Sequence, residues 1–305
     1  MTGFTRVAHV GAGGSLGAVV LKELVDAGLD VTVLVRTAGN LPANYSSKVK
    51  EVVVDYNSES SLADALCGQE AVVSTMGSLA VGGQEKVIKA AISAGVKRFI
   101  PSEFGADLKQ PSVRSFPTYG DKVKIEDMLE QEARKTDLSY TIVYNNLFLD
   151  WGLQAGFLAD LAGKKATLYA GGLFPVSMTR LSTVGKGVVG VLKNPEQTKN
   201  QHMRIHDGRL SMKDLVEAVQ EVTGAEGWTI TEENPADAVA KSNKALSQGI
   251  FEDWVFLGYI SVASQTEEHG PGFEVVQNEL LGLKEHSTDE MKSLAKEIAK
   301  SILSK

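Results

Sequence analysis

Short apolar runs alternate with amphipathic stretches along the first half of the chain. The apolar runs are rich in β-branched residues, which favour strands, and they lie at 5–10, 31–36, 51–55, 71–75, 98–101 and 140–144. The stretches between them carry apolar residues at helical spacing, at 15–27, 61–66, 84–94 and 119–135. Repeated strand–helix–strand units joined by short loops predict an α/β fold, a doubly wound parallel sheet with helices on both faces.

After residue 146 the rhythm changes. Helical patterns cover 151–161, 182–192, 211–222, 235–248, 252–262 and 288–303, and short strand patterns cover 166–169 and 202–205. The last helix opens on Ser287 with Glu290 three residues later, a capping box. We therefore predict a nucleotide-binding domain over residues 1–150 and a smaller α+β substrate lobe over 151–305, with some segments returning to the first domain. The stretch 264–273 is the most loop-like, and both a lid and an idle surface loop fit its composition.

Composition narrows the class of protein. The 305 residues include 31 basic and 38 acidic side chains, a formal charge of −7, which argues against a nucleic-acid partner because such proteins usually present a basic patch. A single cysteine, Cys67, excludes a disulfide framework, and the five histidines lack the spacing of a metal site. Neither a signal-peptide pattern nor a membrane-spanning apolar run is present. We expect a cytoplasmic protein that binds no metal, membrane or nucleic acid.

A glycine-rich turn joins the first predicted strand to the first helix. Glycines allow a tight turn and a close approach of backbone amides to a pyrophosphate, and the helix N-terminus adds partial positive charge. The succession of strand, loop, helix and strand is the context that such a motif requires. We predict a Rossmann-type dinucleotide site formed by Gly11, Gly13, Gly14, Ser15, Leu16 and Gly17.

The residue that ends the second strand selects the cofactor. An acidic residue there would bind the ribose hydroxyls of NAD, whereas Arg36 suits the 2′-phosphate of NADPH. At the end of the third strand, Asp55 fits two roles, bordering the adenine or capping the next helix. The ends of the fourth and fifth strands should line the ligand crevice. They contribute Thr75, Met76, Gly77 and Phe104.

Several longer strings resemble one family. The glycine loop, VDYNSESSLADAL, VKRFIPSEFGAD, SYTIVYNNLF, ATLYAGGLFPVSMTRLSTVG and RLSMKDLVEAVQEVTG are similar to the isoflavone reductase-like, NmrA-type family of atypical short-chain dehydrogenases/reductases. The resemblance runs from about residue 5 to about residue 235. It implies an extended Rossmann domain that binds NADPH, a smaller substrate lobe, and reduction of small aromatic compounds such as isoflavones, benzylic ethers and lignans.

The resemblance also implies roles for single residues. The family's catalytic lysine, in the helix after PSEFG, falls on Lys122 within DKVKIEDMLE, and its asparagine–phenylalanine pair falls on Asn146 and Phe148. All three would contact the cofactor. The chain departs from the family pattern by glycine for threonine at position 13 and by an acidic pair for two arginines at 126 and 127. The loops of the substrate lobe match no plant subgroup, which leaves the substrate open.

Hydride chemistry needs a group that manages a proton, and Lys122 can do so as an acid/base or as a cation beside a developing anion. A solvated lysine on a charged helix is the competing interpretation. Tyr119 lies three residues earlier, on the same side of the predicted helix. Ordinary short-chain dehydrogenases space this pair by four residues. We therefore take Tyr119 as a hydrogen-bond partner in the catalytic site and not as the proton donor.

Aromatic side chains are suited to a flat substrate. Phe104, Phe148 and Trp151 follow strand ends that face the crevice, and Phe174 could cover it from the lobe. Two alternatives to an enzyme of this kind are a non-catalytic NmrA-type regulator, which signals redox state through a protein partner, and a nucleotide-sugar epimerase. Lys122 favours the reductase over the regulator, and the missing four-residue spacing counts against the epimerase. Whether the chain is a monomer or a homodimer is open.

Overall fold

The computed structural model describes residues 3–39 and 49–304 of the chain. Its strands, in chain order, are β1 (Arg6–Val10), β2 (Asp30–Val35), β3 (Val49–Val53), β4 (Ala71–Ser74), β5 (Arg98–Ile100), β6 (Ser139–Tyr144), β7 (Leu147–Phe148), β8 (Lys165–Tyr169), β9 (Pro175–Thr179), β10 (Gln201–Arg204), β11 (Gly208–Ser211) and β12 (Thr229–Glu233). Its helices are α1 (Ser15–Asp26), α2 (Glu59–Leu66), α3 (Gln84–Ser93), α4 (Pro111–Arg114), α5 (Gly120–Glu132), α6 (Leu149–Gln154), α7 (Leu181–Lys193), α8 (Met212–Thr223), α9 (Pro235–Ser247), α10 (Asp253–Gln265), α11 (Asn278–Leu281) and α12 (Thr288–Leu303).

A seven-stranded parallel sheet forms the centre of the fold. Its strand order is β10-β6-β5-β4-β1-β2-β3, and every neighbouring pair is parallel. Alternate residues of each strand face opposite sides, as the two-residue period of strands requires. In β1, for example, Val7 packs with α1 and α7, whereas Ala8 packs with α2, α3 and α5. Helices cover both faces, so the predicted doubly wound, Rossmann-type α/β fold is confirmed.

The seventh strand comes from the second half of the chain. Residues 201–204 pair with β6 at the edge of the large sheet, so this part of the chain returns to the first domain. Arg98 of β5 holds the return in place from inside the protein, since its buried guanidinium donates to the hydroxyl of Thr198 at 2.8 Å and to the carbonyl of Pro195 at 2.7 Å. The division of the chain at residue 150 stays a prediction.

Two small sheets form the lobe beside the large sheet, together with helices α6, α8, α9, α10 and α12. One sheet has the order β11-β9-β7 and the other pairs β12 with β8. Helices α8 and α12 pack on the first of them around a core that includes Leu210, Leu215 and Met291, while α9 and α10 pack against each other next to the second. The capping box of α12 is present as predicted, with Ser287 and Glu290 bonding reciprocally.

The structure corrects some of the element predictions in this half. The strands β9, β11 and β12 were not predicted. Because β12 is exposed along most of its length and pairs with β8 at one edge, its sequence does not need the apolar alternation that marks a buried strand. The predicted helix over 151–161 is shorter, because α6 ends at Gln154 and Gly156 adopts a positive φ of 70°. No helix in residues 3–39 and 49–304 has the length and apolar character that crossing a membrane requires.

Candidate active site

The carboxyl ends of the parallel strands meet at one edge of the large sheet. The chain leaves β1 toward β2 and β3 on one side and returns to β4 on the other, so the strand order reverses between β1 and β4. In sheets of this type, ligands bind in the crevice at such a reversal. The loops after the two strands touch there, since a Cβ placed on Gly11 would lie 2.6 Å from the carbonyl oxygen of Thr75. They form the floor of one crevice.

The glycines of the first loop divide into two kinds. Gly11 has a positive φ of 87°, and a Cβ on Gly17 would lie 2.1 Å from the carbonyl oxygen of Gly11. These two glycines therefore allow the backbone turn and the close packing of α1 against it. A Cβ on Gly13, by contrast, would meet no atom within 4 Å, and one on Gly14 would meet only the Gly11 oxygen at 3.7 Å. The second pair leaves open space above the loop.

The first turn of α1 faces that space without a cap. Gly14 is the N-cap residue, and no side chain of the described chain hydrogen-bonds to the turn that Ser15 and Leu16 begin. Uncapped amides and the positive end of a helix are what an anionic group binds. An open glycine pair followed by an uncapped helix N-terminus thus fits the pyrophosphate of a dinucleotide.

Arg36 lies at the rim of the same crevice, directly after β2. Its side chain is exposed and acts on Tyr56, whose hydroxyl donates to the carbonyl oxygen of Leu34 at 2.9 Å. Burial raises the pKa of Tyr56 to about 12, against the opposing effect of the Arg36 charge. An exposed guanidinium at this position can bind a phosphate with charge-assisted hydrogen bonds.

The structure separates the two interpretations of Asp55. The N-cap of α2 is Ser58, whose side chain accepts from the amide of Ser61 at 3.2 Å, so the capping role is wrong. Asp55 is exposed and accepts from the amide of Asn57 at 2.8 Å, a local turn that any short acidic side chain can make. Its place beside the adenine stays a prediction.

A buried polar contact supports the crevice from below. The hydroxyl of Thr75 donates to the carbonyl of Val10 at 3.1 Å and lies 3.0 Å from Nε2 of His9. Since the hydroxyl proton is used on Val10, Nε2 of His9 is the donor in the second bond. Complete burial lowers the pKa of His9 to about 3, so its ring stays neutral and the two strands are joined without a charge.

The loops after β4 and β5 are tied together beside the crevice. Ser102 donates from its hydroxyl to the carbonyl of Met76 at 2.7 Å and from its amide to Oε1 of Gln84 at 2.7 Å. Gly77 is exposed and precedes the 3₁₀ turn over Ser78–Gly83. Phe104 is 6% exposed and belongs to the core on the α1 side. Of these predicted residues, Met76 and Gly77 have accessible surface at the crevice, while Phe104 supports it from within.

Lys122 lies in the first turn of α5, beside the loop that follows β5. Its ammonium donates to the main-chain oxygen of Glu103, and the side chain is half-buried. Lys124, two residues on, is 78% exposed in its side chain and pairs with Asp121 at 3.0 Å. Lys124 is thus a solvated surface lysine. Lys122, by contrast, points to the loop that borders the crevice.

The acidic pair Glu126 and Asp127, which departs from the family pattern, is bound by Arg114. Arg114 of α4 donates to Glu126 at 3.0 Å and also bonds Asp127, while the hydroxyl of Tyr144 donates to Glu126 at 2.6 Å. Burial raises the pKa of Glu126, and the hydrogen bonds from Tyr144 and Arg114 oppose the rise. This charge cluster lies one helical turn beyond Lys122 and fixes α5 against α4 and β6.

Tyr119 takes a different direction from the one predicted. It ends the 3₁₀ turn Pro117–Tyr119 and precedes α5, which begins at Gly120, so it does not share a helix face with Lys122. Its ring is 5% exposed and packs in the core on the α2 and α3 side of the sheet, and its hydroxyl is directed toward Ser264 of α10. Burial raises the pKa of Tyr119 above its usual range. The tyrosine joins the lobe to the large sheet, and its role in catalysis stays a prediction.

Asn146 clamps the stretch 264–273 to the end of β6. It has a positive φ of 51°, and its side-chain nitrogen lies 3.1 Å from the carbonyl oxygens of Ser177 and Ser264 and 3.2 Å from that of Pro271. His269 adds a contact to Ser112 at 2.9 Å. The stretch is largely buried and partly helical, so it is an anchored wall and the prediction of a loop is wrong for residues 264–269.

The predicted aromatic residues are spread over two neighbouring places. Phe148 is half-buried and packs with the core on the α1 side, as Phe104 does. Trp151 is 39% exposed, with its ring 6.4 Å from that of Phe157. Phe174 is half-buried beside the anchored wall, 3.2 Å from the position of a Cβ on Gly272. Only Trp151 among them borders the large cavity of the lobe.

That cavity has a volume of about 670 Å³ and runs between α6, the β8–β12 pair and helices α9 and α10. Trp151, Phe157, Tyr169 and Trp254 supply its aromatic walls, and Gln265 at the end of α10 also lines it. Gln265 follows Ser264, whose carbonyl oxygen is bonded to Asn146, so one lining residue adjoins the clamp. Phe157, Tyr169 and Trp254 were not among the predicted substrate residues. Their aromatic side chains are the signal that could have pointed to them, but their convergence depends on the pairing of β12 with β8.

The described residues hold no group of three or more histidine, cysteine, aspartate or glutamate side chains arranged to bind a metal ion. The site is instead defined by a parallel sheet, an open glycine loop at its switch point and a lysine held on the loop after β5. These are the features of a dinucleotide-binding α/β protein.

Comparison with known proteins identifies the family. The chain belongs to the NmrA-like family, whose model matches residues 5–231, and this confirms the resemblance seen in the sequence. The chain is 30% identical over 295 residues to oxidoreductase aprR of Aspergillus flavus, covering 94% of this chain and 97% of that protein. It is 29% identical over 231 residues to phenylcoumaran benzylic ether reductase PT1 of Pinus taeda, covering 70% and 73%.

The fold has solved counterparts as well. The structure of a leucoanthocyanidin reductase–NADPH binary complex from Vitis vinifera superposes with a TM-score of 0.76 and 18% sequence identity, covering 98% of this chain and 100% of that one. At this level of identity the likeness shows a shared fold. It extends beyond the large sheet to nearly the whole chain.

Proposed function

We propose that this protein is an NADPH-dependent reductase of a small aromatic or phenolic substrate, with Lys122 as its general acid/base. It is an NADP-dependent oxidoreductase, and its relative aprR, 30% identical over nearly the full chain, is an oxidoreductase by name. The observation that carries the proposal is the position of Lys122, a half-buried lysine held on the Glu103 carbonyl beside the switch-point crevice.

The residues around the crevice fit the cofactor. The open backbone at Gly13 and Gly14 and the uncapped first turn of α1 would hold the pyrophosphate, and the exposed Arg36 would bind the 2′-phosphate. When bound, NADPH supplies a hydride to the substrate. The superposable leucoanthocyanidin reductase is a complex with NADPH, which supports this choice of cofactor.

Lys122 supplies the proton that must accompany the hydride. The Glu103 carbonyl orients its ammonium, and the half-buried position keeps the lysine stem out of bulk water. A substrate oxygen that gains negative charge would be stabilised by the ammonium and then take its proton. Tyr119 is buried and precedes α5, so this transfer is assigned to Lys122 alone.

The substrate class rests on the lobe. The cavity of about 670 Å³ with walls from Trp151, Phe157, Tyr169 and Trp254 is within the range of small-molecule sites and suits a flat ring. The benzylic ether reductase named among the relatives supports an aromatic substrate.

The proposal is tested by NADPH oxidation with a panel of aromatic carbonyl, enone and benzylic ether compounds. For a substrate that is turned over, Lys122→Ala should lower the rate by about 10²–10⁴-fold, the usual contribution of a positioned acid or base, a larger effect than the loss of NADPH affinity caused by removing one cofactor contact. Lys124→Ala is the matched control and should leave the rate unchanged, because Lys124 is a surface lysine.

Two results would contradict the proposal. Turnover that persists in Lys122→Ala would remove the lysine from the mechanism while leaving the oxidoreductase class intact. Tight NADPH binding without turnover of any compound would favour the alternative of a non-catalytic dinucleotide-binding regulator that acts through a protein partner.

A further inference from the structure

One face of α10 borders the lobe cavity along most of the helix. Trp254, Ser261 and Gln265 all line the cavity, and their spacing along the sequence places them on the same side of a helix. The exposed fraction falls along this face, from 39% at Trp254 to 6% at Ser261 and 4% at Gln265. Since a helix rises about 1.5 Å per residue, the face spans about 16 Å from the first to the last. The cavity therefore has an open end at Trp254 and a buried end at Gln265.

Aromatic side chains frame the open end. Trp151 of α6 and Trp254 of α10 both line the cavity, and each is 39% exposed. The ammonium of Lys241 lies 5.2 Å from the centroid of the Trp254 ring, a cation–π contact that steadies this ring against α9. A flat ligand therefore finds its aromatic contacts at this end, which leaves the recognition of polar groups to the buried end.

The buried end carries a side-chain amide that lacks a partner. Oε1 of Gln265 is buried and accepts no hydrogen bond from residues 3–39 or 49–304. The other buried polar side chains of the wall are engaged within the lobe. Ser261 acts on the hydroxyl of Tyr169, and Oγ of Ser242 lies 2.5 Å from the position of a Cβ on Gly258. Because an unpaired buried amide is unfavourable, Gln265 is suited to a ligand that supplies the missing hydrogen bond.

A short chain of contacts joins this end of the cavity to Lys122. The carbonyl oxygen of Ser264, the residue before Gln265, accepts from the side chain of Asn146 at 3.1 Å. The main-chain amide of Asn146 donates to the carbonyl of Gly105 at 2.9 Å. Nζ of Lys122 lies 3.7 Å from the position of a Cβ on Gly105. A ligand group bound at Gln265 is thus only a few residues from the proposed acid/base.

We propose that Gln265 determines the specificity of the lobe cavity by binding a hydroxyl group at the buried end of an aromatic ligand that extends toward Trp254. The inference rests on the proposed function, because it takes the cavity as the substrate site, and it names the group that is recognised there. A side-chain amide offers an oxygen acceptor and an NH₂ donor, and a phenolic hydroxyl both donates and accepts. A hydroxyl therefore satisfies the amide in either orientation, whereas a ring edge without one leaves it unpaired.

Binding can be measured without cofactor or turnover. Equilibrium dialysis against 4-phenylphenol and against biphenyl compares two compounds that differ by one hydroxyl group. We expect the unaltered protein to bind 4-phenylphenol at least about tenfold more tightly, the effect of one hydrogen bond to a buried group. Gln265→Leu should reduce this preference to less than about threefold, because leucine supplies no polar atom. Gln265→Glu keeps a hydrogen-bonding group of the same length and should retain the preference.

Two control variants separate the amide from the rest of the cavity. Trp254→Ala should weaken the binding of both compounds by a similar factor and leave the preference unchanged, since this ring lies at the open end. Gln248→Leu, at an exposed glutamine that follows α9, should change neither affinity. Where thermal unfolding shows that Gln265→Leu does not fold, Gln265→Met removes the amide with a flexible chain and is judged by the same criterion. Equal binding of the two compounds by the unaltered protein, or a preference that survives removal of the amide, would overturn the proposal.

The kinetic consequence follows for a hydroxylated substrate found by NADPH oxidation. Gln265→Leu should raise its KM at least about tenfold and change kcat by less than about threefold, because the hydroxyl contact is present in the ground state and in the transition state alike. An unchanged KM would refute the role of Gln265. Because dialysis needs no turnover, failure to reduce any compound would count against the proposed function, while a hydroxyl preference lost in Gln265→Leu would still support the binding role.

Discussion

The side-chain nitrogen of Asn146 lies 3.2 Å from the carbonyl oxygen of Pro271, 125 residues later in the chain. Through this bond and those to Ser177 and Ser264, a residue at the end of β6 holds a wall of the lobe. The positive φ of Asn146 further restricts which residues can occupy this position, since few residues other than glycine and asparagine tolerate it.

We predict that Asn146→Ala lowers the free energy of unfolding by about 2–4 kcal/mol, because buried carbonyl groups lose their donor and the backbone is strained. Asn146→Gly separates the two causes, since glycine accepts the positive φ but supplies no amide. It should recover about 1 kcal/mol of the loss. Urea unfolding measures both variants, and hydrogen exchange at residues 270–273 should rise in both. Equal stability of Asn146→Ala and the unaltered protein would show that the hydrogen bonds of Asn146 do not hold this stretch in place.

The two kinds of glycine in the first loop should respond oppositely to alanine. Gly17→Ala forces a Cβ to within 2.1 Å of a backbone oxygen, so we expect a loss of several kcal/mol in folding stability. Gly14→Ala meets only the Gly11 oxygen, at an ordinary contact distance of 3.7 Å, and should leave stability nearly unchanged. It should nevertheless weaken NADPH binding at least about tenfold, because the methyl group occupies the space of the pyrophosphate. Thermal unfolding and NADPH titration of each variant provide the measurement, and undiminished binding by Gly14→Ala would contradict the placement of the cofactor.

Arg36 should decide between NADPH and NADH. Arg36→Asp replaces an exposed cation with a charge that repels the 2′-phosphate, and we expect the preference to move toward NADH by about 10–100-fold, corresponding to about 1.4–2.8 kcal/mol. Arg134→Asp, at an exposed arginine just beyond α5, is a control for the change in net charge. Equal affinities for the two cofactors in the unaltered protein would show that Arg36 does not select between them.

His9 should make the protein sensitive to acid. Its pKa is about 3 in the folded state against 6.5 in the unfolded chain, so between these values the unfolded state binds a proton that the folded state does not. Stability therefore rises with pH across this window and is lost on acidification, by about 1.4 kcal/mol for each pH unit at most. His9→Leu should flatten the dependence of urea unfolding between pH 7 and pH 5. His202, whose pKa is lowered to about 4 mainly by burial, remains in that variant, so a residual slope is expected.

Much of the fold could be predicted because each strand and helix of the large sheet carries its own periodicity. The helix over 15–27 and the strands around it lie within one or two residues of the predicted positions. The capping box at Ser287 was equally local. What could not be predicted depends on distant pairing: β12 pairs with β8, and the stretch 264–273 is bound by Asn146, Ser177 and Ser112.

The residues of the candidate site likewise fall into those that a local sequence pattern reveals and those that depend on distant contacts. The glycine loop and Arg36 are recognisable because their chemistry depends on adjacent residues and a strand end. The direction of Tyr119 and the isolation of the Glu103 carboxyl depend on α5, α10 and β6 meeting in space. A glutamate inside VKRFIPSEFG has no local pattern that marks it as buried and unpartnered.

The late origin of β10 has a consequence for how the chain is made. A ribosome releases the first six strands of the sheet well before residues 201–204, so β6 waits as an open edge during synthesis. The buried Arg98 has no Thr198 or Pro195 to bind in that interval. A chain truncated after β6 would keep the complete glycine loop. It would expose the unpaired edge of β6 and leave Arg98 without two of its hydrogen-bond acceptors, so it should aggregate.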